Sequence, residues 1–417
     1  MTKEYKSFIF TGDKNSCSGC GACSQICRHS AIDMQPDEEG FLFPTVNKDK
    51  CVCCGLCDSI CPVVGNKQAN AEQEQHCYIA TTKHKEYYKE SASIGICTML
   101  SDYVVSQGGV VYGCYLDEND WTAYHIGVRD KAGVQRLRNS KYLQSNTKQT
   151  FTEVRTNLID GKLVLYIGTP CQIAGLKAYL RKDYDNLYTI DIICHGTFSP
   201  KLMPLEVKYW ENKFHGKIKH FGFRSRKVYK HQNGGMINFD LQTEDGNTQH
   251  IERHASSSPS YRCFAYSGDG QNYNIRLSCY SCHFRDTYRY GDITVGDPWF
   301  INPRMLSMKY SPYINVRLSL YSCNTSKGQQ LLSYVNHLLD QKEYSREQSF
   351  CQPAVKPTHR EIPALRSELF SKLGSCEYGT LVEQLLKCNL NSAHEAFEKT
   401  YRFMHIKNII KHLLKRL

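Results

Sequence analysis

The chain has 417 residues, of which 41% are hydrophobic, and it carries a formal net charge of +11. This length and composition exclude a disordered protein and are sufficient for two or three domains with buried cores. The positive charge does not indicate nucleic-acid binding, because mid-chain holds no basic run with interleaved aromatic residues, and ligated thiolates would offset part of the charge.

Cysteine is unusually frequent, with 21 residues in the chain. The first 13 residues contain no apolar segment of the kind that a secretory signal needs, and no later run has the length of a membrane span. Cysteines in such a chain indicate metal ligation in a reducing compartment rather than a disulfide scaffold. The sequence therefore predicts a cytoplasmic protein.

Two cysteine runs of identical spacing, C-x-x-C-x-x-C-x-x-x-C, lie in the predicted N-terminal domain, residues 1–66. In two-cluster ferredoxins, three cysteines of each run bind one cubane and the fourth serves the other cluster. The stretch resembles a bacterial-type two-cluster ferredoxin, and Cys53 falls out of register. The expected ligand sets are Cys17, Cys20, Cys23 with Cys61, and Cys51, Cys54, Cys57 with Cys27.

A structural zinc site is the alternative for this stretch, since C-x-x-C pairs also bind zinc. Zinc ribbons use separated pairs, however, and not two triplets that are each followed by a fourth cysteine. One departure from the ferredoxin pattern is that Arg28 follows Cys27, where a proline is usual. Short strands are predicted at 31–33 and 41–46, and residues 67–75 are predicted to form a polar linker.

Residues 76–342 alternate between predicted strands and helices, which favours an α/β (α+β) core with a mixed sheet and parallel pairing. After about residue 218 the pattern changes to hairpins. Residues 343–417 are predicted to form a helical C-terminal extension. The predicted strands are 77–80, 109–115, 121–128, 163–167, 187–193, 221–224, 236–241, 250–253 and 314–321, and the predicted helices are 94–106, 148–158, 173–180 and 329–339.

Four further cysteines lie near predicted strand ends or in a C-x-x-C pair. Cys171 lies in a predicted loop at 168–172, Cys194 ends a strand, and Cys279 and Cys282 form the pair. Ligands of α/β sheets bind beyond the carboxyl ends of strands, so these thiols are candidates for a third cluster. Buried inert cysteines, or a redox pair or zinc staple at Cys279 and Cys282, remain alternatives.

Several motifs then resemble one family, the coenzyme F-420 hydrogenase/dehydrogenase beta subunits. The resemblance extends from about residue 76 to residue 330, behind the ferredoxin-type domain. The motifs are a GTPCQ-x-x-GL segment at 168–176, an SKY-x-QS segment at 140–145, a CHG turn at 194–196, and R-x-S-C-x-x-C at 276–282 leading to D-I-x-V-G-D at 292–297.

The resemblance implies an FAD-binding oxidoreductase core that carries a 4Fe-4S cluster. It places Lys141 and His195 at the reacting end of the site, Lys141 beside the flavin ring and His195 as a proton donor. A structural histidine, and a turn-capping role for Asp297, remain alternatives. The implied cofactor contacts are Gly95, Ser140, Lys141, Tyr142, Gln144, Ser145, Thr169, Pro170, Gln172 and Asp297.

The chain departs from the family pattern at two glycines. Ile96 follows Gly95 where a second glycine is usual, and Asn139 replaces the glycine before the SKY segment. Flavin binding is therefore expected but not required by the motifs.

The predicted function is an iron–sulfur flavoprotein oxidoreductase. Electrons from a ferredoxin-like donor or a partner enzyme would pass through 4Fe-4S clusters to FAD and a small-molecule substrate. The resemblance adds a link to surface-polysaccharide biosynthesis, with many bacterial members encoded beside such genes. The alternative is a non-enzymatic electron-transfer subunit that supplies a separate enzyme.

The last 18 residues, 400–417, form an amphipathic pattern with apolar residues at helical spacing and several cations. A terminal helix docked on its own domain is one interpretation. Peripheral contact with an anionic membrane is the other.

Overall fold

The computed structural model describes residues 6–65, 75–88, 91–225, 235–299, 318–357, 359–392, 394–396 and 398–399. The predicted amphipathic helix at 400–417 lies outside the described residues. Within the described residues, no helix is long and apolar enough to cross a membrane.

The strands among these residues form three sheets. A two-stranded sheet holds β1 and β2, a three-stranded antiparallel sheet has the order β10-β9-β8, and an eight-stranded mixed sheet has the order β13-β3-β12-β11-β7-β6-β4-β5. The strands are β1 (Ile32–Pro36), β2 (Leu42–Val46), β3 (His76–Thr81), β4 (Val110–Asp117), β5 (Thr122–Val128), β6 (Val164–Gly168), β7 (Leu187–Ile192), β8 (Gly216–Gly222), β9 (Met236–Thr243), β10 (Thr248–His254), β11 (Ile293–Gly296), β12 (Ser319–Cys323) and β13 (Asp340–Tyr344).

The helices connect and cover these strands. Those of the described residues are α1 (Phe8–Thr11), α2 (Ala22–Ile26), α3 (Leu56–Ser59), α4 (Lys85–Tyr88), α5 (Ile96–Ser106), α6 (Lys131–Leu137), α7 (Thr150–Ile159), α8 (Pro170–Leu180), α9 (Leu202–Phe214), α10 (Pro259–Phe264), α11 (Ser326–Ser333), α12 (Arg346–Ser349), α13 (Ala364–Ser371) and α14 (Tyr378–Leu386).

The middle of the large sheet is parallel, as predicted. Strand β6 pairs in parallel with both β4 and β7, and β7 pairs in parallel with β11, while the outer strands pair antiparallel. Since parallel neighbours end at the same edge, the residues that follow β6 and β7 lie side by side. That edge receives Cys171 and Cys194.

Alternation along the central strands buries both faces of the sheet. Val110 and Tyr166 belong to one apolar cluster, together with helices α7 and α8, whereas Val111 and Leu165 belong to a second cluster that includes α5 and α11. Successive side chains of a strand point to opposite faces, so each face has its own core. The first cluster also contains Cys20 of the N-terminal cysteine region.

The predicted loop at 168–172 is wrong for its last three residues. Pro170 is the first residue of helix α8, so Cys171 and Gln172 lie in its first turn. The reason is a strong helix start: proline fits the first helical position, and Thr169 and Gln172 form a capping box in which each side chain bonds the other residue's backbone. The sequence analysis did not recognise this capping pattern.

The chain divides into two compact units. The described parts of unit 1 extend to Lys201, resume at Arg276 and end at Glu361, and unit 2 comprises Leu202–Ile275 and the residues from Ile362 onward. Unit 1 holds the two-stranded and eight-stranded sheets. In unit 2, helices α10, α13 and α14 share a core cluster that includes Leu202, Tyr273 and Leu381. The domain boundaries predicted from the sequence stay predictions.

A fully buried ion pair joins the strand ends beneath the cysteine edge. Arg289 Nη2 lies 3.2 Å from Asp191 Oδ2, and the two side chains are 1% and 0% exposed. Asp191 also accepts hydrogen bonds from the Tyr290 N–H and the Thr294 hydroxyl. A buried charge that loses its partner is costly, so this pair ties β7 to the segment that carries Cys282.

We predict that Asp191→Asn lowers the free energy of unfolding by about 3–5 kcal/mol, because it leaves Arg289 buried without a counter-charge. Denaturant titration followed by circular dichroism measures the change. Asp160→Asn is the matched control, since Asp160 pairs with Lys162 at 3.7 Å on the surface, and exposed pairs contribute only about 0–1 kcal/mol. Equal effects of the two substitutions would contradict the prediction.

Candidate metal centres

The first cysteine group, here named the inner set, consists of Cys17, Cys20, Cys23 and Cys61. All four line one cavity beside helix α1. Burial, followed by repulsion from Cys61 and Cys17, raises the pKa of the Cys20 thiol to about 12. Thiolates crowded in this way repel one another unless a cationic core lies among them, and the cavity and donor type fit a cubane cluster.

The loop of the inner set adopts its shape through glycine. Gly19 and Gly21 have φ angles of 69° and 78°, in the left-handed region that favours glycine. A Cβ atom at Gly19 would lie 2.3 Å from Gln144 Nε2, and one at Gly21 would lie 2.4 Å from Thr147 Oγ1. The loop is therefore closely packed against the segment that follows Lys141.

The second group, the outer set, consists of Cys27, Cys51, Cys54 and Cys57. Burial raises the pKa of the Cys57 thiol to about 11, and repulsion from Cys54 and Cys27 adds to the rise. Cys54 is exposed, as is its neighbour Cys53. The proximity of Cys27 to Cys57, and of Cys61 to Cys20, agrees with the exchange of fourth cysteines that the spacing predicts. Ligation itself stays a prediction.

The third group, the core set, consists of Cys171, Cys194, Cys279 and Cys282, and the structure brings it together. The pKa of Cys171 is raised by burial and then by repulsion from the other three thiols. Burial and repulsion from Cys279 raise the pKa of Cys194 to about 12. Four thiols from separate segments thus converge where β6 and β7 end.

The arrangement suits a cluster better than a single ion. Among the described residues, no three His, Cys, Asp or Glu side chains are placed to hold one metal ion. A cubane presents a different iron to each thiolate, so its ligands stand further apart than those of a lone ion. The donor set of four thiols fits such a cluster, and a zinc staple made by Cys279 and Cys282 would leave Cys171 and Cys194 unused.

Three arginines surround the core set. Arg360 Nη2 donates to the Cys279 carbonyl at 3.0 Å, and Arg285 Nη2 donates to the His195 carbonyl at 3.3 Å. Arg285 and Arg289 also favour the thiolate form of Cys282, against the larger effect of burial. Positive charge at this distance suits a cluster that is negative overall.

His195 borders the core set, but the structure places it as a neutral ring. The side chain is exposed toward the space beside the thiols. Desolvation by the surrounding protein, together with Arg285 and Arg360, nevertheless lowers the pKa of His195 to about 4. Its role as a proton donor stays a prediction.

Three of the predicted flavin contacts instead bond to one another. Gln172 Nε2 donates to Ser145 Oγ at 3.0 Å, and Gln172 Oε1 accepts from the Thr169 N–H and hydroxyl, each at 3.0 Å. Ser145 Oγ also lies 3.3 Å from Nδ1 of the buried His125. The SKY-x-QS and GTPCQ motifs therefore form one polar network under the first turn of α8, where Thr169 Oγ1 lies 3.1 Å from Cys171 Sγ.

Lys141 is also largely engaged with protein atoms. Its Nζ donates to the carbonyls of Leu137 and Arg138, at 3.0 and 2.6 Å, where helix α6 ends. Burial lowers the pKa of Lys141 to about 8. An ammonium group has three donors, so one remains for a ligand.

The other predicted contacts are dispersed. Gln144 Oε1 accepts from the Leu42 N–H at 2.9 Å, which joins it to the N-terminal region. The Tyr142 carbonyl accepts from Phe198, and the Asp297 carbonyl accepts from Gln352. Ser140 is half-buried, and Pro170 is buried at the start of α8. Their roles toward a flavin stay predictions.

The two departures from the family's glycines leave the backbone unaffected. Gly95 has φ 84° and is the residue before helix α5, whereas Ile96 is already helical, where a side chain is tolerated. Asn139 has φ 68°. Asparagine enters this left-handed region more readily than most residues, so it substitutes for glycine there.

The sequence analysis missed three residues that hold these sites in place. Thr147 donates to the Cys20 carbonyl at 2.9 Å, and Arg276 Nε donates to the Cys17 carbonyl at 2.7 Å. His125 joins the network of Ser145. Arg276 stands in a quoted motif, which was a usable signal, but nothing in the sequence distinguishes Thr147 or His125 from ordinary core residues.

Comparisons with known proteins agree with the cysteine pattern and the motifs. Residues 161–343 match the family model for the C terminus of the coenzyme F420 hydrogenase/dehydrogenase beta subunit, and residues 16–64 match the 4Fe-4S dicluster domain. A chain of the F420-reducing NiFe hydrogenase complex from Methanosarcina barkeri, solved with xenon derivatization, is 16% identical, with a TM-score of 0.41 over 76% of this chain and 91% of that chain. A search of curated proteins returned no match.

We predict that the anaerobically purified protein contains about twelve irons, four for each cysteine set. The double substitution Cys279→Ser, Cys282→Ser should lose about a third of them, because it removes half of the core set's ligands. Iron and sulfide analysis measures the loss. The matched control is Cys263→Ser, Cys323→Ser, which changes two buried cysteines outside the three sets. An unchanged iron content in the first variant would show that Cys279 and Cys282 are not ligands.

Proposed function

Because residues 161–343 belong to the coenzyme F420 hydrogenase/dehydrogenase beta-subunit family and residues 16–64 form a 4Fe-4S dicluster domain, we propose that this protein is an iron–sulfur electron-transfer protein. In this proposal electrons enter at the outer set, pass by way of the inner set, and reach the core set. The family match supports the redox role, and the order of the sets is argued from burial and packing below.

One contact supports the last step of this route. Cys20 of the inner set packs on helix α8 so closely that a Cβ atom at Gly175 would lie 2.9 Å from Cys20 Sγ. Cys171 of the core set lies four residues earlier, one turn along the same helix. A single helical turn therefore separates ligands of two sets, and Cys171 and Cys282 both pack against the apolar cluster that includes Cys20.

Exposure supports the direction. Cys54 of the outer set is exposed, whereas Cys20 is 8% exposed. The outer set is flanked by the exposed cations Arg28, Lys48 and Lys50. Such a surface attracts an acidic redox partner and speeds its docking. The partner in this proposal is a ferredoxin-like donor or an enzyme that exchanges electrons at this end.

The finer proposal adds FAD and a small-molecule substrate beyond the core set. FAD, when bound, would convert single electrons into a hydride. Lys141 would hold it through its remaining donor, and Asn139 Oδ1 is a buried acceptor with no hydrogen-bond partner among the described residues. Whether the substrate is coenzyme F420 or a precursor of a surface polysaccharide depends on contacts that these residues do not specify.

A second candidate is an electron-transfer subunit without flavin, which passes electrons from the core set to a separate enzyme. The network of Ser145, Thr169 and Gln172 favours it, because these side chains already bond to one another. In both candidates the protein acts in the cytoplasm, where a reducing environment keeps exposed thiols such as Cys53 and Cys376 free.

To test the route, we predict that Gly175→Leu slows electron arrival at the core set at least several-fold, because the side chain pushes the Cys20 loop away from α8. Freeze-quench electron paramagnetic resonance after rapid mixing with a one-electron donor measures the arrival. The core-set signal is the one that the Cys279→Ser, Cys282→Ser variant lacks. Gly113→Ala is the control, since a Cβ atom there meets only the Leu137 side chain. An unchanged rate with full iron content would refute the route.

To separate the two candidates, we predict that the wild-type protein retains non-covalently bound flavin and that Lys141→Ala lowers its content or shifts its potential. The inner and outer sets should keep their signals, because Lys141 contacts neither. Absorbance of the extracted flavin measures the content, and Lys131→Ala, an exposed change at the start of α6, is the control. Wild-type protein that cannot be loaded with flavin would favour the electron-transfer subunit.

A further inference from the structure

Arg276 is buried beside the inner set without a carboxylate partner. The side chain is 1% exposed, and its guanidinium lies 3.9 Å from the centre of the Phe43 ring. Within the described part of the chain, no acidic group pairs with it, and its Nη2 has no hydrogen-bond partner. A buried cation of this kind is costly unless a negative charge lies near it.

Gln144 shares this position. Its Oε1 accepts from Arg276 Nη1 at 3.4 Å, and its Nε2 is a second buried donor that lacks a partner among the described residues. Both groups point at Gly19, where a Cβ atom would lie 2.3 Å from Gln144 Nε2 and 3.0 Å from Arg276 Nη1. Two unsatisfied donors, one of them charged, therefore lie against the loop between Cys17 and Cys20.

The same loop is held by its carbonyl groups. Arg276 Nε donates to the Cys17 carbonyl and Thr147 Oγ1 donates to the Cys20 carbonyl. In a trans peptide the N–H points opposite to the C=O, so pulling these carbonyls outward turns the following N–H groups toward the cysteine cavity. Consistent with that, the Cys20 thiol accepts a hydrogen bond from the Ala22 backbone, which favours its thiolate form.

We propose that Arg276, assisted by Gln144, is the counter-charge of the cluster held by the inner set and raises its reduction potential. A cluster with four thiolates is negative overall and becomes one unit more negative on reduction. A buried cation therefore stabilises the reduced state more than the oxidised one. The inference rests on the proposed inner-set cluster, but not on flavin or on the route beyond it.

Arg276 also joins two cysteine sets. Its side chain holds the Cys17 carbonyl of the inner set, and its own carbonyl accepts from the Cys279 N–H of the core set at 2.9 Å. A cation at this position favours the electron on the inner set next to the core set. It thereby offsets the burial that otherwise disfavours added negative charge there.

The test is a potentiometric titration of the full-length protein, purified anaerobically and followed by electron paramagnetic resonance. The inner-set signal is the one that Cys23→Ala abolishes. Arg276→Gln removes the charge, and Gln144→Glu neutralises it in place with a side chain of the same size. Each should change the ratio of reduced to oxidised inner-set cluster at least tenfold at fixed potential, a fall of about 59 mV for one electron.

Two controls separate charge from shape. Arg276→Lys keeps the charge and should shift the potential much less than Arg276→Gln. Lys14→Gln removes a cation whose ammonium group pairs with Asp37 and Glu38 at 2.7 Å near the surface, and it should leave the inner-set potential unchanged. If Arg276→Gln fails to retain iron, Gln144→Glu and Arg276→Lys decide the question.

An unchanged inner-set potential in Gln144→Glu with full iron content would overturn the proposal, as would equal shifts in Arg276→Lys and Arg276→Gln. Absence of any inner-set signal from the wild-type protein is a different outcome. It would contradict the cluster itself and hence the proposed function, rather than the role of Arg276.

Discussion

The contact between Cys20 and helix α8 at Gly175 is the constraint on which the arrangement of the cysteine sets depends. Only a residue without a side chain lets the Cys20 sulfur lie against the helix backbone. The helical repeat then fixes Cys171 one turn away, and the capping box of Thr169 and Gln172 fixes where that helix begins. Two ligand sets from distant parts of the sequence are thus positioned by one rigid element. A loop in place of α8 would leave their separation variable.

Positive charge accompanies each of the three sets, but its setting differs. Arg276 is buried and lacks a carboxylate partner among the described residues, three arginines surround the core set, and the cations near the outer set are exposed. In water such charges are screened, whereas in a low-dielectric interior the same charge acts strongly. The outer cations therefore serve encounters with partners, and the inner ones serve the energetics of adding an electron. Residue type is shared among the three, and solvent exposure decides the effect.

Much of the fold and of the metal sites could be predicted because the signals are local. Cysteine spacing identified the inner and outer sets, and strand alternation identified β4 to β7 within one or two residues. The convergence of Cys171 with Cys282 was reachable only as a hypothesis, since it depends on long-range pairing of β7 with β11. The flavin contacts were carried by resemblance, and the structure gives three of them partners within the protein. Thr147 and His125 were beyond prediction, because their importance lies entirely in what the folded chain places beside them.

The core set is also divided along the chain in a way that the other two sets are not. Cys171 and Cys194 precede the segment Leu202–Ile275 of unit 2, and Cys279 and Cys282 follow it. During synthesis the N-terminal sets are complete once Cys61 has emerged, whereas the core set must wait for the whole intervening segment. Domains generally fold as units as the chain emerges. The biosynthetic machinery that delivers iron and sulfide would therefore meet this protein twice, first at a finished N-terminal module and later at a half-built site whose exposed thiols need protection from oxygen in the interval.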